Sequence, residues 1–179
     1  MSVSTSKSAE FPRLSLILGG ARSGKSGYAE TLVSSLPPPW IYVATAEALD
    51  HEMRGRIEHH RSRRDERWKT VDAPRDLPET IQRLADVHQP MLIDCLTLWL
   101  SNCLLADLDL QESSDRLITA LEKAPGPVVL VSNEVGWGIV PDTPLGRRFR
   151  DEQGRLNQRV ANIADRVVMM VAGLPLTVK

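Results

Sequence analysis

The stretch "LILGGARSGKSGYAE", Leu16 to Glu30, joins a short apolar run to a segment of helical character through a glycine-rich turn. It contains the pattern G-x-x-x-x-G-K-[ST] in full. Glycines in such a turn let backbone N–H groups curl around phosphate oxygens, and the N-terminus of the following helix adds partial positive charge. The sequence therefore predicts a phosphate-binding loop made of Gly19, Gly20, Ala21, Arg22, Ser23, Gly24, Lys25 and Ser26.

Two residues of this loop carry its expected chemistry. In a loop of this type Lys25 reaches the β- and γ-phosphates of a nucleotide, and Ser26 is a ligand of Mg²⁺. The alternative is a plain glycine turn between a strand and a helix, with a lysine there by chance. The apolar run before the loop and the helical segment after it favour the phosphate-binding interpretation.

Apolar runs and helical segments alternate along the rest of the chain. Continuous apolar runs, typical of strands buried on both faces, lie at 14–18, 40–44, 90–94, 128–132 and 166–172. Segments with a helical period lie at 25–35, 50–65, 76–87, 95–106, 111–124 and 145–164. Parallel neighbours need a crossover, so this alternation predicts a mostly parallel sheet flanked by helices. We expect a single-domain α/β fold, P-loop NTPase-like, with a last short strand in "LPLTVK" at one edge.

The composition limits the expected partners and location. The chain has 179 residues and a net charge of −1, so we expect no nucleic-acid partner. No apolar run reaches the roughly 18 residues that a membrane span needs, so we expect none. Residues 1–13 lack the apolar core of a signal peptide and predict a flexible tail before a domain at 14–179. Cys95 and Cys103 lie in an apolar segment, which favours buried free thiols in a reducing, cytoplasmic compartment.

Asp94 is the candidate acid for a metal site. It ends the apolar run "MLID", and a carboxylate at the C-terminal end of a strand faces the crevice of an α/β sheet. There it would hold Mg²⁺ directly or through water, together with Ser26. The alternative role is the N-cap of the helix that starts at Cys95, because Asp is favoured at that position; the two roles are compatible.

The segment "DHEMRGRIEHHRSRRDERW", 50–68, predicts a second kind of chemistry. On a helix His60 lies at the edge of the inward stripe, surrounded by Arg56, Arg61, Arg63 and Arg64. Nearby cations disfavour the imidazolium, and a neutral imidazole is a nucleophile. The same arginines would neutralise nucleotide phosphates during attack. The alternatives are a solvated basic helix with two surface histidines, or a nucleic-acid patch, which the interleaved acids weaken.

Several segments together resemble one enzyme family. They are "GGARSGKS" (19–26), "YVATAEALDHEMRGRIEHHRSRR" (42–64), W-x-T (68–70), "VSNEVGWGIVP" (131–141) and "GRRFRDEQGRLNQRVANIADRV" (146–167). In this order, and over nearly the whole chain from Leu14, they resemble the bifunctional adenosylcobinamide kinase / adenosylcobinamide-phosphate guanylyltransferase of cobalamin biosynthesis. The resemblance implies phosphorylation of adenosylcobinamide with ATP or GTP, then transfer of GMP from GTP onto that phosphate.

The resemblance also implies roles for particular residues. The family carries GMP on a histidine of the helix after the second strand, and the R-I-x-x-H spacing assigns this role to His60, with the adjacent His59 as its rival. Besides the phosphate loop, it implies a nucleotide site that includes Thr45, Ala46, Glu47, Arg61, Ser62, Arg63, Arg64, Asp72 and Asp94. It implies a corrinoid substrate, Mg²⁺, and a homotrimer in which the histidine helix lies near a neighbouring subunit.

Two other classes of protein stay open. A simple small-molecule kinase would need the loop but neither the histidine helix nor a covalent intermediate. A GTP-dependent regulatory protein usually recognises guanine through N-K-x-D, which "SNEV" at 132–135 does not match. Without the resemblance, the segment 131–141 is a glycine loop with a buried Trp137.

Overall fold

The computed structural model describes residues 11–47, 51–62, 64–86 and 88–179. Strands and helices alternate through these residues, as the apolar pattern predicts. The elements are β1 (Leu14–Gly19), α1 (Lys25–Ser34), β2 (Trp40–Ala44), α2 (His51–Ser62), β3 (Trp68–Asp72), α3 (Leu77–Leu84), β4 (Met91–Asp94), α4 (Leu96–Leu105), α5 (Leu110–Lys123), β5 (Val128–Asn133), α6 (Pro144–Ile163), β6 (Arg166–Val171) and β7 (Leu174–Thr177).

The described strands form one seven-stranded sheet in the order β3-β2-β4-β5-β1-β6-β7. All neighbours from β3 to β6 are parallel, and β7 pairs antiparallel with β6. The predicted mostly parallel sheet flanked by helices is therefore confirmed, as is the short strand that closes one edge. The loop-bearing strand β1 lies well inside the sheet, between β5 and β6.

The edge strand β3 is the element that the apolar pattern did not predict. Its sequence "WKTVD" mixes apolar and polar residues, with Trp68 and Val71 half-buried and Lys69, Thr70 and Asp72 exposed. A strand at the edge of a sheet buries fewer side chains than an inner strand, so it lacks the continuous apolar run used to recognise the others.

Two apolar clusters cover the two faces of the sheet. On one face α3, α4, α5 and α6 pack around large buried side chains such as Trp99 and Leu100. On the other face α1 packs through Ala29 and Val33 against strand residues that include Tyr42. Each fully buried Leu or Ile contributes about 1.5–3 kcal/mol, which explains why the inner strands are apolar on both faces.

Because these strands are parallel, their carboxyl ends meet at one edge of the sheet. Gly19 is paired with Asn133 at the ends of β1 and β5. Ala44, at the end of β2, is paired with Asp94 on one side and with Asp72 on the other. Most of the predicted site residues therefore lie on this one edge.

The predictions for the N-terminal tail, the two cysteines and Trp137 have different outcomes. Residues 1–10 of the predicted tail lie outside the described residues, but Arg13 already donates to the carbonyls of Leu121 and Ala124. Cys95 and Cys103 are buried and free, as predicted. Trp137 is 78% exposed, so a buried tryptophan in the glycine loop is wrong. Within the described ranges, no helix has the length and apolar character to cross a membrane.

Candidate functional site: a phosphate loop at the carboxyl edge of the sheet

The glycine loop leaves the end of β1 and turns directly into α1. A Cβ on Gly19 would lie 2.5 Å from Ser23 Oγ and 2.9 Å from the carbonyl oxygen of Met170, so only glycine fits there. Gly24 has φ +92°, in the left-handed region that favours glycine, and α1 starts at the next residue without a side-chain cap. The first N–H groups of α1 therefore have no side-chain cap and are available to an anion in the loop.

Neighbouring segments hold the loop from two sides. The amide of Gly173, in the β6–β7 turn, donates to the carbonyl of Ser23 at 3.1 Å. The amide of Glu134, just after β5, donates to the carbonyl of Gly19 at 3.2 Å. The loop therefore has a fixed shape set by residues far away in the chain, which the sequence motif alone does not reveal.

Lys25 lies folded against this loop. Its Nζ donates to the carbonyl of Gly20 at 2.9 Å, and the residue is only 9% exposed. Burial lowers the pKa of Lys25, and the nearby Cys95 and Asp94 partly offset this effect. A phosphate group in the loop would supply the negative charge that a buried ammonium needs.

Asp94 is half-buried at the end of β4, and Tyr42 donates a hydrogen bond from its hydroxyl to Asp94 Oδ2 at 3.2 Å. Burial raises the pKa of Tyr42 far above its usual range, so this hydroxyl stays protonated and remains a donor. The N-cap of α4 is Cys95, whose Sγ accepts from the amide of Leu98. The capping role considered for Asp94 at α4 is therefore wrong, and its carboxylate accepts from Tyr42 instead.

Thr45, Ala46 and Glu47 follow β2 on a rigid platform. The Thr45 hydroxyl is fully buried; it donates to the carbonyl of Cys95 and accepts from the Cys95 amide, both at 2.7 Å. The side-chain amide of Asn102, on α4, donates to the carbonyls of Thr45 and Pro74. The Glu47 carboxylate pairs with Arg75 at 2.8 Å. Thr45 thus shapes the crevice through its backbone, since its hydroxyl is used inside the protein.

The predicted nucleophile, His60, lies in α2 together with its rival His59, and the side chains of both are outside the described part of the structure. Arg63 lies outside the described residues altogether. Just beyond this helix, Arg64 lies over the ring of Tyr42, with Cζ 3.6 Å from the ring centroid. Its Nε and Nη1 are buried and have no hydrogen-bond partner within the described part of the chain. The segment just after the histidine helix is therefore anchored on Tyr42, the residue that donates a hydrogen bond to Asp94.

Arg61, Ser62 and Asp72 lie further out. Arg61 Nη2 is 3.6 Å from Asp72 Oδ1, and both side chains are more than half exposed. Asp72 ends β3, which is four inter-strand spacings of about 4.8 Å from β1, or roughly 19 Å. The structure therefore brings Asp94 close to the loop lysine, whereas Asp72 lies too far to contact a phosphate in the loop in this conformation.

The residues that sequence reasoning missed form a buried polar network beneath the end of β5. Asn157 Oδ1 accepts from the Ser132 hydroxyl at 2.7 Å and from Gln153 Nε2 at 3.0 Å, and Asn157 Nδ2 donates to the carbonyl of Asn133 at 3.0 Å. The Thr97 hydroxyl accepts from the amide of Asn133 at 2.7 Å. The signal in the sequence was a pair of amides, four residues apart, on the inward face of α6.

A mostly parallel sheet whose first strand runs through a fitted glycine loop into a helix, with an acid near the loop lysine, defines a P-loop nucleotide-binding protein. A family described as cobinamide kinase / cobinamide phosphate guanyltransferase matches residues 15–178. The chain belongs to this family, and it is a transferase. The resemblance seen in the sequence motifs is confirmed.

Curated relatives agree with this assignment. The bifunctional adenosylcobalamin biosynthesis protein CobP of Pseudomonas aeruginosa is 46% identical over 166 residues, covering 92% of this chain and 96% of that protein. The bifunctional adenosylcobalamin biosynthesis protein CobU of Escherichia coli is 40% identical over 179 residues, covering 92% of this chain and 98% of that protein.

Solved structures with low identity support the fold alone. An ATPase from the type III secretion system of pathogenic bacteria is similar with a TM-score of 0.52 at 12% identity, over 92% of this chain and 56% of that one. A protein from Pyrococcus horikoshii OT3 is similar with a TM-score of 0.50 at 9% identity, over 93% and 86% of the two chains. The P-loop NTPase-like α/β architecture predicted from the sequence is confirmed.

Proposed function

We propose that this chain catalyses both reactions of its family on adenosylcobinamide. It transfers the terminal phosphoryl group of ATP or GTP to the aminopropanol hydroxyl, and then transfers GMP from GTP onto that phosphate through a GMP–histidine intermediate. One structural observation supports joining the two reactions in one site. Arg64, four residues after His60, lies on Tyr42, which donates to Asp94 near the loop lysine.

In the kinase reaction the protein positions phosphates and stabilises their charge. The N-terminus of α1 and the loop amides hold the phosphate oxygens, and Lys25 donates to the group that is transferred. The hydroxyl oxygen of adenosylcobinamide forms a bond to the γ-phosphorus as the bond from that phosphorus to the β–γ bridging oxygen breaks, and the hydroxyl proton passes to solvent. The nucleoside diphosphate leaves with that electron pair.

Ser26 and Asp94 fit a magnesium site. Both offer oxygen atoms, which Mg²⁺ prefers, and this ion keeps several waters while it binds phosphate oxygens. Such a site needs few protein ligands, which agrees with the finding that no cluster of three or more His, Cys, Asp or Glu side chains occurs in the described ranges. Bound there, Mg²⁺ would neutralise charge on the phosphate oxygens.

In the guanylyl reaction a histidine attacks the α-phosphorus of GTP. A P–N bond forms, the bond to the bridging oxygen breaks, and pyrophosphate leaves. The phosphate oxygen of adenosylcobinamide phosphate then attacks the same phosphorus, and the histidine leaves as neutral imidazole. We assign the nucleophile to His60, with His59 as the alternative, and charge stabilisation to the arginines at and beyond the end of the helix.

Three further assignments are part of the proposal. The functional unit is a homotrimer, and it acts in the cytoplasm. The catalytic domain is 14–179, preceded by a tail at 1–13. Exposed apolar side chains near the end of β5 are available for a subunit or corrinoid contact: Trp137, Ile139 and Val140.

Mass spectrometry of the intact protein after incubation with GTP and Mg²⁺ tests the covalent step. We expect one added GMP, lost in acid because a phosphoramidate is acid-labile, and located by peptide fragmentation on His60. His60→Ala should stay unmodified, while His51→Ala, a matched change at the start of the same helix, should be modified like the wild type. Modification that persists in His60→Ala and vanishes in His59→Ala would reassign the nucleophile. A wild-type protein without any adduct would support the simple kinase instead.

A further inference from the structure

Tyr42, in the middle of β2, contacts both parts of the proposed site. It is 4% exposed, its hydroxyl donates to Asp94 Oδ2 at 3.2 Å, and its ring lies 3.6 Å below the Arg64 guanidinium carbon. We propose that Tyr42 is a positioning residue: its hydroxyl orients the Asp94 carboxylate toward Mg²⁺ and the phosphates, and its ring holds Arg64 as an anion-binding group for the guanylyl reaction. This inference rests on the proposed function.

The hydroxyl side of the contact restricts one carboxylate oxygen. A carboxylate with no fixed donor rotates and is hydrated, whereas a hydrogen bond from a buried hydroxyl fixes one oxygen and the plane of the group. A phenolic hydroxyl is a hydrogen-bond donor at physiological pH, so the bond to Asp94 Oδ2 persists there. Asp94 Oδ1 is then directed by the same bond, which is what a ligand of a metal with strict octahedral geometry requires.

The ring side of the contact restricts Arg64. Tyr42 itself is held edge-on to Trp68, with centroids 6.2 Å apart at 78°, and Trp68 packs on Trp40 at 5.1 Å. A guanidinium stacked on a ring keeps its N–H edges open for an anion. Arg64 Nε and Nη1 have no hydrogen-bond partner within the residues that the structure describes, so the buried charge lacks an acceptor at these two atoms.

Open space lies next to Arg64, on the side of the amino ends of β2 and β3. A cavity of about 190 Å³ lies between α1 and the start of β2 and β3, and its lining includes Arg64, Trp40 and Trp68 together with the acidic residues Glu30 and Asp65. Buried polar groups without partners are costly, so an arginine of this kind is stabilised when an anion arrives. A phosphate of a nucleotide is an anion of the required chemistry.

Tyr42→Phe tests the hydroxyl, because it removes one oxygen and keeps the ring. Direct binding of GTP is measured by calorimetry with Mg²⁺ and again with a chelator. We expect roughly tenfold weaker binding with Mg²⁺ and unchanged binding without it, since only the metal-dependent part uses the oriented carboxylate. The matched control is Tyr28→Phe, which removes a hydroxyl that accepts from Arg166 at 3.1 Å in the same apolar cluster. It should bind like the wild type in both conditions.

Tyr42→Leu tests the ring, with formation of the GMP adduct as the readout. At saturating Mg²⁺ the Phe variant should form the adduct at the wild-type rate, whereas the Leu variant should be at least tenfold slower at any Mg²⁺ concentration. If the Leu variant melts below the assay temperature, Arg64→Ala takes its place, because it removes the group that the ring supports.

Two results would overturn the proposal: a Phe variant with wild-type dependence on Mg²⁺, or a Leu or Arg64→Ala variant with a wild-type rate of adduct formation. The experiments distinguish a failure of the proposed guanylyl function from a failure of the role of Tyr42. A wild-type chain that binds Mg²⁺ and GTP but forms no adduct rejects the proposed guanylyl function, while the binding comparison still decides the role of the Tyr42 hydroxyl.

Discussion

The buried amide network beneath β5 gives a prediction whose magnitude can be worked out from its contacts. Asn157→Leu preserves approximate shape but removes an acceptor from the Ser132 hydroxyl and a donor from the carbonyl of Asn133. Each buried polar group that loses its partner costs about 1–3 kcal/mol, so we expect these two losses to lower the free energy of unfolding by about 2–6 kcal/mol. For a chain of 179 residues this is a fall in melting temperature of roughly 10 °C.

Urea denaturation followed by circular dichroism measures this change. The control is Asn162→Leu, the same substitution at an exposed position of α6, for which we expect a change within about 0.5 kcal/mol. A loss for Asn157→Leu below about 1 kcal/mol, or one equal to that of the control, would show that the network does not stabilise the end of β5. The role assigned to the buried amides of α6 in holding the end of β5 would then be refuted.

Three other predictions have distinct expected outcomes. Lys25→Met removes a buried charge: because burial lowers the pKa of Lys25, the charged amine disfavours the folded state below that pKa, and the penalty is relieved as pH rises through it. Without nucleotide, the melting temperature of the variant should therefore be no lower than that of the wild type, and any advantage should shrink at high pH. The variant should gain no thermal stability from GTP and Mg²⁺. A rise in its melting temperature with GTP equal to that of the wild type would contradict the role of Lys25. Burial raises the pKa of Cys95 to about 12 and of Cys103 to about 11, so neither thiol should react at pH 8 with an aromatic disulfide reagent until denaturant is added, and rapid reaction of the native protein would show that the buried thiols are accessible. Arg61→Gln breaks an exposed ion pair with Asp72, so stability should change by less than about 0.5 kcal/mol in thermal melts, and a larger loss would mean that the pair is structural.

The sequence predicted those parts of the site that depend on local chemistry. The glycine loop is recognisable because its positions need a backbone without Cβ and a helix start, and both requirements are written in adjacent residues. Asp94 was predicted as a site residue for a similar reason, since it ends an apolar strand. The parallel sheet was predictable from the alternation of buried runs with helices.

The parts that depend on contacts between distant residues were not predictable in this way. Tyr42 was an ordinary member of an apolar strand until its hydroxyl met Asp94, on a neighbouring strand. The amides of α6 became a network only through their contact with Ser132. β3 was missed because an edge strand needs no continuous apolar run. In each case the pairing of elements, and not the local pattern, decides the role.

The position of β1 has a consequence for the order in which the protein becomes competent. Its two neighbours, β5 and β6, are made late in synthesis, since Leu14 pairs with Val128 and Ser15 with Arg166. A nascent chain that has emerged only as far as α5 therefore carries the whole glycine motif but has no strand on either side of it. Contacts between residues so far apart in the chain form slowly. Nearly the whole chain must therefore leave the ribosome before the glycine motif is flanked by both strands and able to bind a triphosphate. Measuring nucleotide binding by ribosome-stalled chains of increasing length would show at which length the motif becomes able to bind.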